Sequence, residues 1–234
     1  TPERKVVLTA RISDSTGRQS VQKLDLSEHA TAKMLMSIKE ARSTAFHEAG
    51  HAVMNNPELT GRRLAYFTIL GGRAKDLVYL GYARYEPLVG ESGNLTREGA
   101  IAMIAQLSAG RIAQRMAGYS EDSGYSNDLE QIQKIATAYF KKWGLDRELI
   151  AIQTNEKGEQ SMTGEQAALL SKKIDELIAK GETVAQKYLE ENWDLVRAEV
   201  RELFRNGGSL NGEQFLKIQK QVFSSPNRMT YGKN

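Results

Sequence analysis

Ala45-Phe46-His47-Glu48-Ala49-Gly50-His51-Ala52 is the stretch on which the reading of this chain turns. On an α-helix, side chains four residues apart stand on one face, so His47 and His51 can aim both imidazoles at a single ion. Glu48 follows His47 directly and lies beside that ion, where its carboxylate can take a proton from metal-bound water. This is the H-E-x-x-H arrangement of zinc peptidases. Zinc polarises the scissile carbonyl and lowers the pKa of its water, while the glutamate acts as general base and passes the proton to the leaving amine. The chain has only three histidines, and three placed at random give a four-apart pair in roughly 3% of chains this long, before a glutamate is required. A merely solvated helix face is therefore a poor account of the motif. Gly50, inside the same helix, costs about 1 kcal/mol against alanine, which predicts that another backbone passes close by.

Zinc needs a third protein ligand and a fourth position left open. The extended pattern with a third histidine fails, because Met54 stands where its glycine should be and Pro57 where its histidine should be. His29 lies upstream, where the known patterns place no ligand. A carboxylate must complete the set, and Glu98, Glu121, Asp122 and Asp128 are the candidates. Spacing alone does not choose among them. Asp128 also suits a plain helix-dipole role, since it falls at a helix start.

Outward from the motif, Met34, Leu35, Ile38, Ala41, Ala45, Ala49 and Ala52 recur at spacings of three and four, so residues 27–55 read as helix, either continuous from Ser27 or broken near Ser37. Residues 64–70 and 77–86 are rich in aromatic and β-branched side chains around Gly71-Gly72 and read as two strands. Thr96 reads as the N-cap of a helix to about Ala117. Asn127 with Glu130 has capping-box spacing, ahead of a helix expected to bury Leu129, Ile132, Ala136, Tyr139 and Phe140 and to stop at Trp143-Gly144. Residues 150–161 read as polar loop. Long amphipathic helices follow over 164–192 and 193–204, then a break at Gly207-Gly208 and a shorter helix over 213–222. Ala167, Leu170, Ile174, Val184 and Leu189 of this region read as core and interface. The fold class is mainly α (α+β): a helical metallopeptidase domain with a small β-sheet and a C-terminal helical bundle. The expected organisation is a strand or linker segment over 1–36, the peptidase domain over 37–222, and a polar, flexible tail over 223–234.

Composition narrows the function classes. The chain has 234 residues, enough to bury a core without staples. It has no cysteine, which removes disulfides, thiolate metal sites and cysteine nucleophiles. Basic residues number 32 against 29 acidic, a net charge of +3, too balanced to argue for nucleic acid. No apolar run approaches the roughly 20 residues that cross a bilayer. The chain opens on Thr1 rather than methionine, as a fragment or processed product would.

The motifs occur in a telling order: His47-Glu48-Ala49-Gly50-His51-Ala52, then Leu107-Ser108-Ala109-Gly110-Arg111-Ile112-Ala113, then Ser126-Asn127-Asp128-Leu129-Glu130, then Trp143-Gly144-Leu145. That series resembles the protease domain of the FtsH family of ATP-dependent zinc metalloproteases, over about residues 41–222. The resemblance implies zinc held by His47, His51 and Asp128, with Glu48 as catalytic base. It implies polypeptide substrates, a homo-hexameric ring, an AAA+ unfoldase that supplies ATP-driven work, and attachment to a membrane through segments absent from this chain. The protease domain would then face the cytoplasm or an organelle matrix or stroma. The family's strand matching Gly81-Tyr82-Ala83-Arg84-Tyr85-Glu86 borders the active site. Two departures stand out. The family's paired glutamates after Arg111 are replaced by Gln114-Arg115, so that helix turn can offer no acidic ligand. No G-x-x-x-x-G-K-[ST] phosphate loop occurs in the chain. Asn127 is expected to cap its helix and orient Asp128, and Arg111 reads as structural or interfacial.

Overall fold

The computed structural model describes residues 7–13, 19–25, 37–74, 77–89, 95–120, 123–146, 153–154, 160–161 and 163–224. Of the expected N-terminal segment, strands β1 (Val7–Ser13) and β2 (Gln19–Asp25) form an antiparallel hairpin. The motif helix is α1 (Ile38–Val53). It starts at the later of the two expected positions. Ser37 Oγ accepts from the Glu40 amide and Glu40 Oε2 accepts from the Ser37 amide, a reciprocal cap that sets the first turn. The expected stop at Asn55-Asn56-Pro57 is seen: Asn56 caps the one-turn helix α2 (Pro57–Thr60), which ends on left-handed Gly61.

Strand β3 (Arg62–Thr68) is the centre of an antiparallel three-stranded sheet of order β6-β3-β9, with β6 (Tyr82–Pro87) on one edge and β9 (Ser209–Asn211) on the other. The expected strand 77–86 is interrupted at Leu80-Gly81, because its first part, β5 (Leu77–Tyr79), pairs instead with β4 (Gly72–Ala74). Local composition does not foretell β9, since three residues become a strand only by pairing with β3 across 140 residues of chain. Within the expected loop 150–161, β7 (Gln153–Thr154) pairs with β8 (Gln160–Ser161).

Helix α3 (Arg97–Met116), capped by Thr96 as expected, is the axis of the domain. It packs against α1 on one side and against α4 (Ser126–Lys141) and α5 (Gly164–Glu191) on the other. Helices α6 (Trp193–Arg205) and α7 (Gly212–Ser224) close over α1 and the sheet. Two apolar clusters result. One joins α1, β3, α6 and α7 through residues such as Val53, Phe67, Leu195, Leu203 and Phe215. The other joins α3, α4 and α5 through Ile104, Ile132, Phe140, Leu170 and Leu177.

The α1–α3 crossing is built from small residues. Ala45, Ala49 and Ala52 face Ala105, Ala109 and Ala113, all fully buried. A Cβ on Gly50 would lie 2.5 Å from the Ala109 carbonyl oxygen and 2.8 Å from Ala113 Cβ. The close backbone expected from Gly50 is thus α3. Small side chains let the two helix axes approach, and that approach brings the histidines onto α3.

Three expectations fail locally. Asn127 does not cap α4: it lies exposed inside the helix, and the N-cap is Tyr125, which makes no side-chain cap bond. A 3-10 turn over Ser123–Tyr125 leads straight into α4 and moves its start two residues upstream. Leu129 is 44% exposed rather than buried, although Ile132, Ala136, Tyr139 and Phe140 are core. Periodicity places Leu129 on the right arc but cannot say how far along the helix the cover extends. Ala167 and Val184 are likewise exposed rather than core.

Candidate metal centre

Residues His47 and His51 lie one turn apart on α1, and their rings meet edge to face with centroids 4.6 Å apart. Asp128, in the first turn of α4, comes to them from across α3. His47 Nε2 lies 3.1 Å from Asp128 Oδ2, His51 Nε2 lies 3.3 Å from the same oxygen, and the two Nε2 atoms lie 3.0 Å apart. Zinc bonds to nitrogen and oxygen of roughly 2.0–2.1 Å, in tetrahedral array, require donor atoms roughly 3.3 Å apart. The three atoms therefore already form a triangle of nearly the required size.

The other ring nitrogens are committed. His51 Nδ1 donates to the Gln106 carbonyl oxygen at 2.7 Å, an acceptor that allows no other polarity. His47 Nδ1 donates to Gln114 Oε1 at 2.9 Å, and Gln114 Nε2 in turn donates to Ser43 Oγ at 2.9 Å. Each neutral imidazole thus presents a bare lone pair at Nε2. Two lone pairs and a carboxylate oxygen converge, and such a set calls for a cation. The chemistry of the donors fits zinc, which takes imidazole and carboxylate ligands readily. With no cation considered, the surroundings respond in the same sense. Where no metal is bound, a proton on Nε2 takes the cation's place: burial acts to raise the Asp128 carboxyl, but the facing His51 charge and the hydrogen bonds that protonated rings donate outweigh it and hold the carboxyl well below its usual range. Burial acts to lower His51, but the charge of Asp128 and its hydrogen bond outweigh that and raise it. The three side chains keep 12%, 9% and 13% of their surface exposed, so the cluster is not sealed from a further ligand.

Helix α3 offers no ligand yet shapes the site. Gln106, Gly110 and Gln114 recur every four residues and line one face under the histidines. At the middle position a Cβ would lie 2.5 Å from His51 Nε2 and 2.7 Å from His47 Cε1, so only glycine leaves room for the rings. Gln106 and Gln114, both buried, set the ring orientations and tautomers. These three residues were not assigned to the site from sequence. The repeat of glutamine, glycine and glutamine at helical spacing was visible, but that a main-chain carbonyl and a missing Cβ would do the work was not.

Glu48 is 5% exposed, next to His47 and against the start of β6: a Cβ on Gly81 would lie 3.0 Å from Glu48 Oε1. Burial pushes its carboxyl up to about 8, with His47 opposing and the Asp128 charge reinforcing the rise. A divalent cation beside it acts in the opposite direction. Of the other sequence candidates, Glu98 is exposed in the first turn of α3 and lies outside the ligand cluster, about 12 Å along the helix axis from Gln106. Glu121 and Asp122 lie outside the described residues. Among the described residues, the one cluster of acidic and histidine side chains able to hold a metal ion is His47, His51 and Asp128.

Comparison with known proteins gives a consistent result. Residues 34–218 match the family described as Peptidase family M41. The ATP-dependent zinc metalloprotease FtsH of Mycoplasmopsis pulmonis is 26% identical over 211 residues, covering 85% of this chain and 28% of that protein. The protein of the same name from Rhodothermus marinus is 27% identical over 177 residues, 72% of this chain and 25% of the relative. The ATP-dependent zinc metalloprotease FtsH 4 of Synechocystis is 24% identical over 225 residues, 90% of this chain and 35% of the relative. The chain thus spans about a quarter to a third of the length of these curated relatives.

Proposed function

The chain belongs to peptidase family M41, and from that membership we propose that it is a zinc-dependent endopeptidase domain in which His47, His51 and Asp128 hold the metal and Glu48 is the general base. The observation that carries the reading is the triangle of two imidazole Nε2 atoms and one carboxylate oxygen at 3.0–3.3 Å. Zinc, when bound, supplies Lewis acidity toward a peptide carbonyl and toward water. The chain's own residues do the rest. Glu48 takes a proton from the attacking water and delivers it to the nitrogen of the breaking C–N bond, so that the amine leaves neutral. Its buried position next to His47 suits that role, because a desolvated carboxylate is a stronger base than one in water. Strand β6 has β3 on one side and, among the described residues, no strand on the other. That strand starts directly after Gly81, which lies against Glu48, and its outer side suits an extended peptide paired through main-chain hydrogen bonds. Such pairing reads little side-chain identity, which fits a protease acting on many unfolded chains.

The relatives bear the words "ATP-dependent" in their names, and this chain spans only part of their length. We extend the proposal accordingly: this domain works as the proteolytic part of a longer hexameric protein whose AAA+ module unfolds substrates. Among the described residues no helix is long and apolar enough to cross a membrane. The test is hydrolysis of casein by the wild-type chain and by Glu48→Gln, with bound zinc measured in both. Loss of hydrolysis with zinc retained is expected. Hydrolysis that survives in the variant, or that survives zinc removal by a chelator in the wild type, refutes the assignment.

A further inference from the structure

Asp128 is the ligand with the least local support. His47 and His51 sit in the middle of α1, whereas Asp128 is in the first turn of α4, where the N-cap residue Tyr125 makes no side-chain cap bond. Something other than capping must fix where that turn sits. Tyr125 precedes Asp128 by three residues and so lies on the same face of the helix. The Arg111 guanidinium lies over the Tyr125 ring, 4.7 Å from its centroid. Arg111 is itself held by Glu182 of α5, Nη2 to Oε1 at 2.5 Å. The Tyr125 hydroxyl is buried and lies by Ser108, a fully buried residue of α3.

We propose that Arg111 and Tyr125 form a strut from α3 and α5 to the first turn of α4, and that this strut positions Asp128 to complete the metal triangle. The inference rests on the zinc reading above and adds two positioning residues to it. The stripe Ile132, Ala136, Tyr139 and Phe140 anchors the rest of α4 in the core. Only the first turn therefore depends on the strut. A cation over an aromatic face, tied on its other side by an ion pair, is a directional contact. It fixes the azimuth of the turn as well as its distance from α3. Ring contact rather than the tyrosine hydroxyl does this, so phenylalanine should substitute at position 125.

The experiment measures zinc affinity of the full chain by competition with a chromophoric chelator, and the visible absorption of the cobalt(II)-loaded protein. Arg111→Ala and Tyr125→Leu should each weaken zinc binding about 10- to 100-fold, the usual effect of losing an outer partner of a metal ligand. Their cobalt spectra should move toward that of Asp128→Ala. Tyr125→Phe should stay within about threefold of wild type. Introduced into the Asp128→Ala background, Arg111→Ala should have no further effect on affinity. Unchanged affinity and spectrum in both Arg111→Ala and Tyr125→Leu overturn the strut. So does an equal loss with and without Asp128, which would mark a general loosening of the fold. If Arg111→Ala does not fold, Tyr125→Leu decides alone, since leucine keeps an apolar side chain where Tyr125 packs against the cluster of α3, α4 and α5 and leaves Ile132, Ala136, Tyr139 and Phe140 in place. Failure of the wild-type chain to bind zinc through His47 and His51 would instead strike the zinc reading itself, and the strut with it.

Discussion

Replacing Gly110 by alanine adds one methyl group beside both imidazoles. The new Cβ would lie 2.5 Å from His51 Nε2 and 2.7 Å from both His47 Cε1 and His51 Cε1. Comfortable contacts between such atoms are roughly 3.5 Å, so the rings must retreat by about 1 Å. They have little freedom to do so, because His51 Nδ1 is bound to the Gln106 carbonyl and His47 Nδ1 to Gln114. The donor edges of 3.0–3.3 Å would open beyond what a tetrahedral ion spans. Metal sites tolerate departures of only about 0.2 Å in ligand distance, and misplacement by 1 Å costs about 100-fold in related settings. Zinc affinity should therefore fall at least about 100-fold, or about 2.7 kcal/mol. Helix α3 itself should not suffer, since alanine favours helix over glycine by about 1 kcal/mol. The assay is chelator competition for zinc, paired with far-ultraviolet circular dichroism to verify helicity. Gly164→Ala is the control, because a Cβ there meets nothing within 4 Å. A folded Gly110→Ala protein that binds zinc within about threefold of wild type would refute the packing argument.

Two further outcomes follow from buried polar groups. Gln114→Leu leaves His47 Nδ1 without its acceptor and should weaken zinc binding about 10-fold, whereas Gln114→Glu, which keeps the acceptor, should not; equal losses in both would remove Gln114 from the site. Glu199, on α6, is fully buried, its carboxylate oxygens have no hydrogen-bond partner among the described residues, and burial, then the neighbouring Glu202, pushes it up to about 9. The folded protein keeps this proton from pH 4.5, its ordinary value, up to about pH 9, a range in which the unfolded chain has lost it. Stability should thus fall as pH rises through that window, by up to about 1.4 kcal/mol per unit from this group. Glu199→Gln should flatten the slope in urea titrations between pH 5 and pH 8, and an unaltered slope would show that Glu199 does not titrate this way.

The helix that carries the histidine motif was legible in the sequence alone, because its information is local. One turn of helix brings residues four apart together wherever the chain folds, so His47, Glu48 and His51 announce a metal peptidase without any tertiary contact. The capping of α3 and the apolar stripe Ile132, Ala136 and Phe140 were legible for the same reason. The same local rules misjudged the start of α4, assigning Asn127 a cap that the 3-10 turn before it displaces. They could not pair β9 with β3, nor split 77–86 between two sheets, because strand partners lie far along the chain.

What only the tertiary structure decided is how an acid meets the histidines and what holds them in place. Periodicity left four carboxylates open, and the family resemblance singled out Asp128. The physical basis of that choice is the crossing of α1, α3 and α4. Alanine and glycine at the α1–α3 contact let the helices close in, Gly110 leaves space for the rings, and the first turn of α4 arrives on the far side of α3 with Asp128 inward. A helix repeat specifies a face, but the distance between two faces depends on the side chains that meet there.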